Sequence, residues 1–262
     1  MFSVPFVIAQ VSDTHLFADL NQTLMGFPTG KSFQAVLAQI QKIQPDLLLF
    51  TGDISQDETL TSYQHFLDLV APLNIPTHWI PGNHDRLPLM ESLLNQNSIS
   101  AEKSVQVGGW HLLLLNSMIP GKVYGQLSPE TLKWMEQQLQ TYRDLPTLIA
   151  LHHPPFPIGS AWMDKIGLHQ ADHLLSIIDR HPQVQLVVFG HIHQEFQQQR
   201  RGVTYLGTPS TCVQFQPHNP NFGLANQSPG FRLLSLYANG QFETEVTRVA
   251  FNHQPDLMAT GY

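Results

Sequence analysis

An α/β fold with mixed sheets and helices packed outside them is what this sequence predicts, and three observations carry that expectation. Short apolar runs alternate with segments of helical spacing through the first three quarters of the chain. The last quarter changes to strands joined by turns. Polar clusters rich in Asp, Asn and His fall directly after the apolar runs. Alternation of the first kind builds parallel sheet, the turn-linked finish adds antiparallel strands, and loops at strand ends are where chemistry collects.

Residues 6–11 are the first expected strand. The stretch from Met1 has no basic region and no small-residue cleavage site, so it is read as leading into that strand and not as a leader peptide. Phe33, Val36, Leu37, Ile40 and Ile43 recur at helical spacing, as do Leu60, Tyr63, Phe66, Leu67 and Val70. Strands are expected at 47–51, 77–80, 111–116, 147–151 and 186–189, each apolar enough to be covered on both faces. Ser128-Pro129-Glu130 reads as an N-cap with proline at the first helical position, opening a helix to about residue 142. A further helix is expected over 171–180. Strands follow at 203–206, 231–237 and 241–249, the last two flanking the hairpin signal Asn239-Gly240. Residues 215–229, rich in Pro, Asn and Gln, read as a long loop. The whole, 1–262, is expected to fold as a single domain.

Composition narrows the function classes. No apolar run approaches the roughly 18 residues of a membrane span, so no membrane partner is expected. Cys212 is the only cysteine; no intrachain disulfide can form, and a cytoplasmic location is the expectation. The net charge of -7 and the lack of a Lys/Arg stripe argue against nucleic acid as a partner. An anionic substrate would need a local positive centre, which bound metal ions would supply.

Five segments supply the means: Ser12-Asp13-Thr14-His15, Gly52-Asp53, Gly82-Asn83-His84-Asp85, His152-His153 and Gly190-His191-Ile192-His193. Any one alone is weak, because Asp-x-His and Gly-Asp occur in many turns. Together they offer Asp, Asn and His while using no Cys, the mixed oxygen and nitrogen set suited to a pair of divalent first-row ions. Asp13 with His15, and His191 with His193, stand two apart; extended backbone would turn each pair to one side. Asp53 has two carboxylate oxygens and can bridge. One ion would then take Asp13, His15, Asp53 and His193, the other Asp53, Asn83, His152 and His191. Two divalent ions bring four positive charges, of which Asp13 and Asp53 cancel two and a bridging hydroxide one more. What remains can polarise a phosphoryl oxygen and make a nucleophile of water. His84 is the candidate proton donor to the leaving oxygen, with Asp85 or another carboxylate holding its ring. Gly52, Gly82 and Gly190 each precede a proposed ligand, either to let the backbone approach closely or simply to end a strand. His153 is left out of the ligand set, read either as supporting a ligand from behind or as facing substrate.

In this order the segments resemble the calcineurin-like metallophosphoesterase superfamily from about Val4 to Val249. Val11-Ser-Asp-Thr-His-Leu-Phe17, Tyr63-Gln-His-Phe66, Gly190 to Glu195, Thr208-Pro-Ser-Thr-Cys-Val-Gln-Phe215 and the ending Gln254-Pro-Asp to Gly261-Tyr262 are similar to the class III cyclic nucleotide phosphodiesterases. That resemblance implies a four-layer αββα sandwich of two mixed β-sheets flanked by helices. It implies opening of 3′,5′-cyclic AMP to 5′-AMP, with phosphate oxygens near His15, Asp53, Asn83, His84 and His193. It implies two divalent metal ions, Fe²⁺ or Mn²⁺, with Zn²⁺ or Co²⁺ also compatible, in a monomer or homodimer. Two other readings stand beside it. One is a metallophosphodiesterase for glycerophosphodiesters, dinucleoside polyphosphates or nucleic-acid ends; the other is a metal-free interaction scaffold.

Overall fold

The computed structural model describes residues 4–261. Met1 to Ser3, where the segment leading into the first strand begins, and Tyr262, which closes the last motif, lie outside the described residues. In chain order the strands of the two large sheets are β1 (Phe6–Val11), β2 (Leu47–Thr51), β3 (Thr77–Ile80), β4 (Ile99–Ser100), β5 (Ser104–Val107) and β6 (Trp110–Leu114). They continue with β7 (Thr147–Leu151), β8 (Val184–Phe189), β9 (Phe196–Arg200), β10 (Val203–Gly207), β11 (Gly230–Leu236) and β12 (Phe242–Arg248). The helices are α1 (Thr29–Ile43), α2 (Leu60–Val70), α3 (Leu87–Leu93), α4 (Pro129–Thr141) and α5 (Ala171–Ile178).

One six-stranded sheet runs β12-β11-β1-β2-β3-β4, the other β9-β10-β8-β7-β6-β5. β1 to β4 are parallel, and so are β6, β7, β8 and β10. Antiparallel strands edge both sheets: β11 and β12 on the first, β9 and β5 on the second. The sheets are therefore mixed, as expected, and the strand periodicity explains the layers. Along β2, Leu47 and Leu49 join Ile8, Leu112, Leu148 and Val188 in a core between the two sheets. Leu48 and Phe50, pointing the other way, pack with Phe33 of α1 and Phe66 of α2. On the far side Leu113, Ile149 and Val187 meet Met135 of α4 and Leu174 of α5. Three apolar layers between four structural ones make the αββα sandwich. The Phe50 and Phe66 rings meet edge to face at 4.7 Å, adding about 0.5–1.5 kcal/mol to what burial of each ring contributes.

Local chemistry sets the element ends. The Ser128 hydroxyl accepts from the Thr131 N–H at 3.1 Å, capping α4 where the sequence placed its start. Asn239-Gly240 turns the β11–β12 hairpin, with Gly240 at φ 86°. Features that escaped the sequence reading include β4, the β5–β6 hairpin around Gly108-Gly109, α3 and the β9–β10 hairpin around Arg201-Gly202, and the expected 215–229 loop carries a short antiparallel pairing of Gln214–Phe215 with Leu224–Ala225. The β5–β6 and β9–β10 turns place their glycines at positive φ, so the signal there was the glycines themselves. Strand β6 begins one residue earlier and ends at Leu114, two residues short of the 111–116 expectation.

Candidate metal centre

Every proposed ligand follows a strand end on one edge of the sandwich. Val11, Thr51, Ile80, Leu151 and Phe189 close β1, β2, β3, β7 and β8, and Asp13, Asp53, Asn83, His152 and His191 come one to three residues later. Hydrogen bonds stitch these loops across the two sheets. The Asp13 N–H donates to the Gly52 carbonyl at 3.0 Å, the Gly190 N–H to the His152 carbonyl at 3.2 Å, and the His191 N–H to the Asp13 carboxylate at 3.1 Å.

The backbone there is unlike the expectation. Asp13 and His15 are not extended: their φ values are 55° and 46°, in the left-handed region. His191 and His193 share it at 68° and 46°, and Asp53 at 52°. The side chains of each pair still converge, but through tight left-handed turns and not through strand alternation. The reason lies in the neighbours. The Leu16 N–H donates to the Ile54 carbonyl at 2.9 Å just past the turns, and Leu16 pairs in parallel with Ser55, so the left-handed residues interrupt two segments that then resume side by side. Glycine makes room beside them, since a Cβ on Gly82 would collide with Asp53 Oδ1, on Gly190 with Ser12 Oγ and on Gly52 with His152 Nδ1. Close approach, not strand termination, is what these three glycines provide.

Side chains that could hold a cation gather in four overlapping groups: His15, His193 and Cys212; His152, His153 and His191; His15, Asp53 and His84; Asp13, Asp53 and His152. Within each group the ligand atoms lie within 4.8 Å of one another. Asn83 Oδ1 stands 3.2 Å from His152 Nε2 and joins them. All seven residues proposed as ligands, and His84, are thus at one place. Among the described residues the remaining histidines (His65, His78, His111, His169, His173, His181, His218 and His253) are in none of these groups.

Tautomers decide whether the residues fit cations. The His15 Nδ1–H donates to Gln56 Oε1 at 2.7 Å, the His193 Nδ1–H to the Val213 carbonyl at 2.9 Å, and the His152 Nδ1–H to the Thr51 carbonyl at 2.7 Å. In each neutral ring the lone pair is then on Nε2. Yet His15 Nε2 and His193 Nε2 face each other at 3.1 Å, and His152 Nε2 faces Asp53 Oδ2 at 3.2 Å as well as Asn83 Oδ1. Acceptors confronting acceptors in a buried place require a positive charge between them. Rings fixed at Nδ1 by carbonyl partners, with Nε2 turned inward, are the arrangement metal-binding histidines use. Buried Nε2 atoms of His191 and His153 have no hydrogen-bond partner, which points the same way.

The ionisation pattern agrees. Burial lowers His152, but the Asp53 carboxylate outweighs it and pushes the ring up to about 9. Burial lowers His193 too, and Asp13 pushes it up to about 10. Burial holds His15 and His191 well below the ordinary histidine value, Asp53 offsetting only part of it. Asp53 itself is raised by burial and pulled well below the carboxylate range by His152, His84 and His15 together. The site therefore draws in protons at two nitrogens, or any stronger Lewis acid that displaces them.

Two sequence expectations need correction or extension. Asp85 does not hold the His84 ring. Its carboxylate accepts from the N–H groups of Ile54 (3.1 Å), Ser55 (3.0 Å) and Gly82 (2.9 Å) and from the Tyr63 hydroxyl (3.1 Å). Those donors fill it, so Asp85 ties the Asp53 loop to the Asn83 loop. Burial and the Asp53 charge push its carboxyl up to about 7 against those hydrogen bonds. His84, half-buried, donates its backbone N–H to Asp53 Oδ1 at 2.9 Å and sets its ring edge on to His15 at 5.1 Å. His153, left out of the set, is fully buried beside His152 and His191, with Nδ1 2.9 Å from Ser117 Oγ. Gln56 and the 208–215 segment were also missed as support. The Ser210 hydroxyl donates to the Asp13 carbonyl at 2.8 Å, and the Phe215 ring stacks on His193 at 4.2 Å. No residue type in that segment signals such a role; only the resemblance had marked it.

Comparison with known proteins is consistent with this geometry. The sequence matches the family model described as calcineurin-like phosphoesterase over residues 6–195. A 3′,5′-cyclic-nucleotide phosphodiesterase of Nostoc is 47% identical over 251 residues, 95% of this chain and 94% of that one. The 3′,5′-cyclic adenosine monophosphate phosphodiesterase CpdA of Escherichia coli is 43% identical over 97% of this chain and 94% of its own length. Among solved structures, a dimetal phosphatase from Danio rerio superposes with a TM-score of 0.72 at 14% identity, covering 95% of this chain and 100% of that one. A Plasmodium protein described as GAP50, the anchor in the inner membrane complex, superposes at 0.65 and 13%, covering 98% of this chain and 90% of that one. At such identities these two structures show the fold alone.

Proposed function

The chain belongs to the calcineurin-like phosphoesterase family, and from that premise we propose that it is a binuclear-metal phosphodiesterase converting 3′,5′-cyclic AMP to 5′-AMP. The observation that carries the metal part is the set of inward Nε2 lone pairs facing one another and the carboxylates. The substrate rests on relatives named for cyclic nucleotides at over 40% identity across nearly the whole chain.

Asp13, His15, Asp53 and His193 would hold one ion, and Asp53, Asn83, His152 and His191 the other. When bound, two divalent ions polarise the phosphoryl oxygens and lower the pKa of water to near neutrality. The protein does the rest by position. Asp53 lies 3.7 Å from His15 and 3.2 Å from His152 through one oxygen, and so stands between the two halves of the site. His84 is fixed beside that carboxylate by its own backbone N–H, half-buried where a diester would sit. Its ring would protonate the departing 3′-oxygen, completing P–O cleavage without release of an alkoxide. Fe²⁺ or Mn²⁺ is the proposed pair; nitrogen-rich sites of this kind also take Zn²⁺ or Co²⁺.

The same reading takes the chain as one domain, supported by strands β9 to β12, which follow the matched region yet complete both sheets. A cytoplasmic location accords with a single buried free thiol, Cys212. No described helix is long and apolar enough to cross a membrane. The deciding experiment is turnover of cyclic AMP beside cyclic GMP and bis(p-nitrophenyl) phosphate, after reloading with individual metals. Preference for cyclic AMP supports the proposal; equal or better turnover of the plain diester favours a different phosphodiester, and absence of bound metal together with absence of turnover favours a scaffold.

A further inference from the structure

The ligand set read from the sequence uses no sulfur, but the fold brings the chain's single cysteine to the site. Cys212 is fully buried, and its Sγ lies within 4.8 Å of a ring nitrogen of His15 and one of His193. Those are the two rings whose Nε2 atoms face each other at 3.1 Å. We propose that Cys212 is a sulfur ligand of the ion held between His15 and His193, which makes that half of the centre the softer one.

The distances suit it. Two atoms bound to one ion stand apart by at most the sum of their bond lengths, about 2.1 Å for nitrogen plus 2.3 Å for sulfur, or roughly 4.4 Å. The sulfur stands within 4.8 Å of both rings' nitrogens, and an ion taking all three in a tetrahedral shell would draw sulfur and nitrogen to roughly 3.6 Å. The sulfur is also held in place by its polar neighbours. Cys212 belongs to the outer core layer of the second sheet, yet its sulfur has a polar neighbour there, lying 3.0 Å from Ser210 Oγ. The Cys212 N–H donates back to the same Ser210 oxygen at 2.8 Å, so the sulfur is held beside the Asp13 loop. Val213, the next residue, supplies the carbonyl that fixes His193 Nδ1, so sulfur and imidazole are set by one short stretch of backbone. On binding, the S–H proton leaves to solvent and the sulfur lone pair forms the metal bond; no oxidation is involved. Sulfur at this position favours Zn²⁺, Fe²⁺ or Co²⁺ over Mn²⁺ or Mg²⁺, a preference that nitrogen and oxygen ligands alone express less strongly.

This inference rests on the two-ion reading, and the test separates them. The full-length chain is stripped with chelator, reloaded with Co²⁺, and followed by metal analysis and absorption. With one cysteine in the sequence, any sulfur-to-cobalt charge-transfer band in the near ultraviolet has a single source. The expected result is two bound Co²⁺ per chain with that band present, and loss of the band in Cys212→Ser with Co²⁺ still bound. Two bound Co²⁺ without the band overturns the sulfur ligand and leaves the two-ion reading standing; no stoichiometric Co²⁺ overturns both. Should Cys212→Ser fail to fold, the wild-type spectrum decides alone, and Cys212→Ala is the second variant.

Discussion

Replacing Asp85 by Asn tests the reassignment of this residue from ring holder to loop clamp. The carboxylate spends one oxygen on Ser55 N–H and Tyr63 O–H and the other on Gly82 N–H, with Ile54 N–H shared at 3.1 and 3.2 Å. Asparagine keeps one acceptor. If the amide oxygen stays toward Ser55 and Tyr63, the new NH₂ points at the Gly82 N–H, and a buried donor loses its partner. A hydrogen bond to a charged group is worth about 1.5–3 kcal/mol, and an unsatisfied buried donor costs about 1–3 kcal/mol more. The sum, about 2.5–6 kcal/mol, corresponds to a fall in Tm of roughly 5–24 °C for a chain of this size. Divalent charge beside Asp53 removes the Coulomb part of what raises Asp85, so the metal-loaded protein is the one to measure.

The same clamp joins the loops that carry Asp53 and Asn83, so metal retention should fall with stability. The assay is thermal melting of wild type and Asp85→Asn after equal metal loading, with metal analysis of each. Unchanged melting and full metal content, with turnover reduced, would refute the clamp and return Asp85 to the service of His84.

Three further outcomes are expected. His84→Ala keeps both ions by metal analysis and slows cyclic AMP turnover by roughly 10²- to 10⁴-fold, the range for loss of a general acid; near-normal turnover would remove His84 from the chemistry. Asp53→Asn lowers occupancy of both sites together, since one carboxylate faces His15 and His152 alike, and loss of only one equivalent of metal would show that it does not bridge. Chelation lowers Tm and reloading restores it, each ion adding about 4 kcal/mol to the unfolding free energy at a free concentration a thousandfold above Kd; a Tm indifferent to chelator would contradict ion binding.

What the sequence made legible is what period and residue type encode. Continuous apolar runs located β2, β3 and β7 within a residue, and Ser128-Pro129 located the start of α4. The residues that meet at the site were legible too, because each is a metal-binding type set just past an apolar run. Support was not legible. Gln56, Ser117 and Ser210 are ordinary polar residues whose importance lies in the atom that each presents to His15, His153 or Asp13. Cys212 was invisible for another reason: spacing along the chain says nothing about which loop of the second sheet crosses beneath the first.

Backbone conformation was the other hidden quantity, and it bears on how the site is held. Five of the seven proposed ligands (Asp13, His15, Asp53, His191 and His193) sit at positive φ, where a non-glycine residue costs of order 1–3 kcal/mol. Asp and His tolerate that region better than most residues, which is one reason the positions suit them. The remaining cost is met by the lattice around them: Asp13 and His15 are pinned by hydrogen bonds to the carbonyls of Gly52 and Asp53, and the His191 N–H by the Asp13 carboxylate. The pins on Asp13 and His15 come from the end of β2 and that on His191 from the end of β1, so no single loop could hold its ligand without the others. It follows that the strain is stored by the two sheets meeting at one edge. The geometry of the cluster is therefore held by backbone hydrogen bonds between strand ends, and cations bound at its centre would relieve the charge conflict among its side chains.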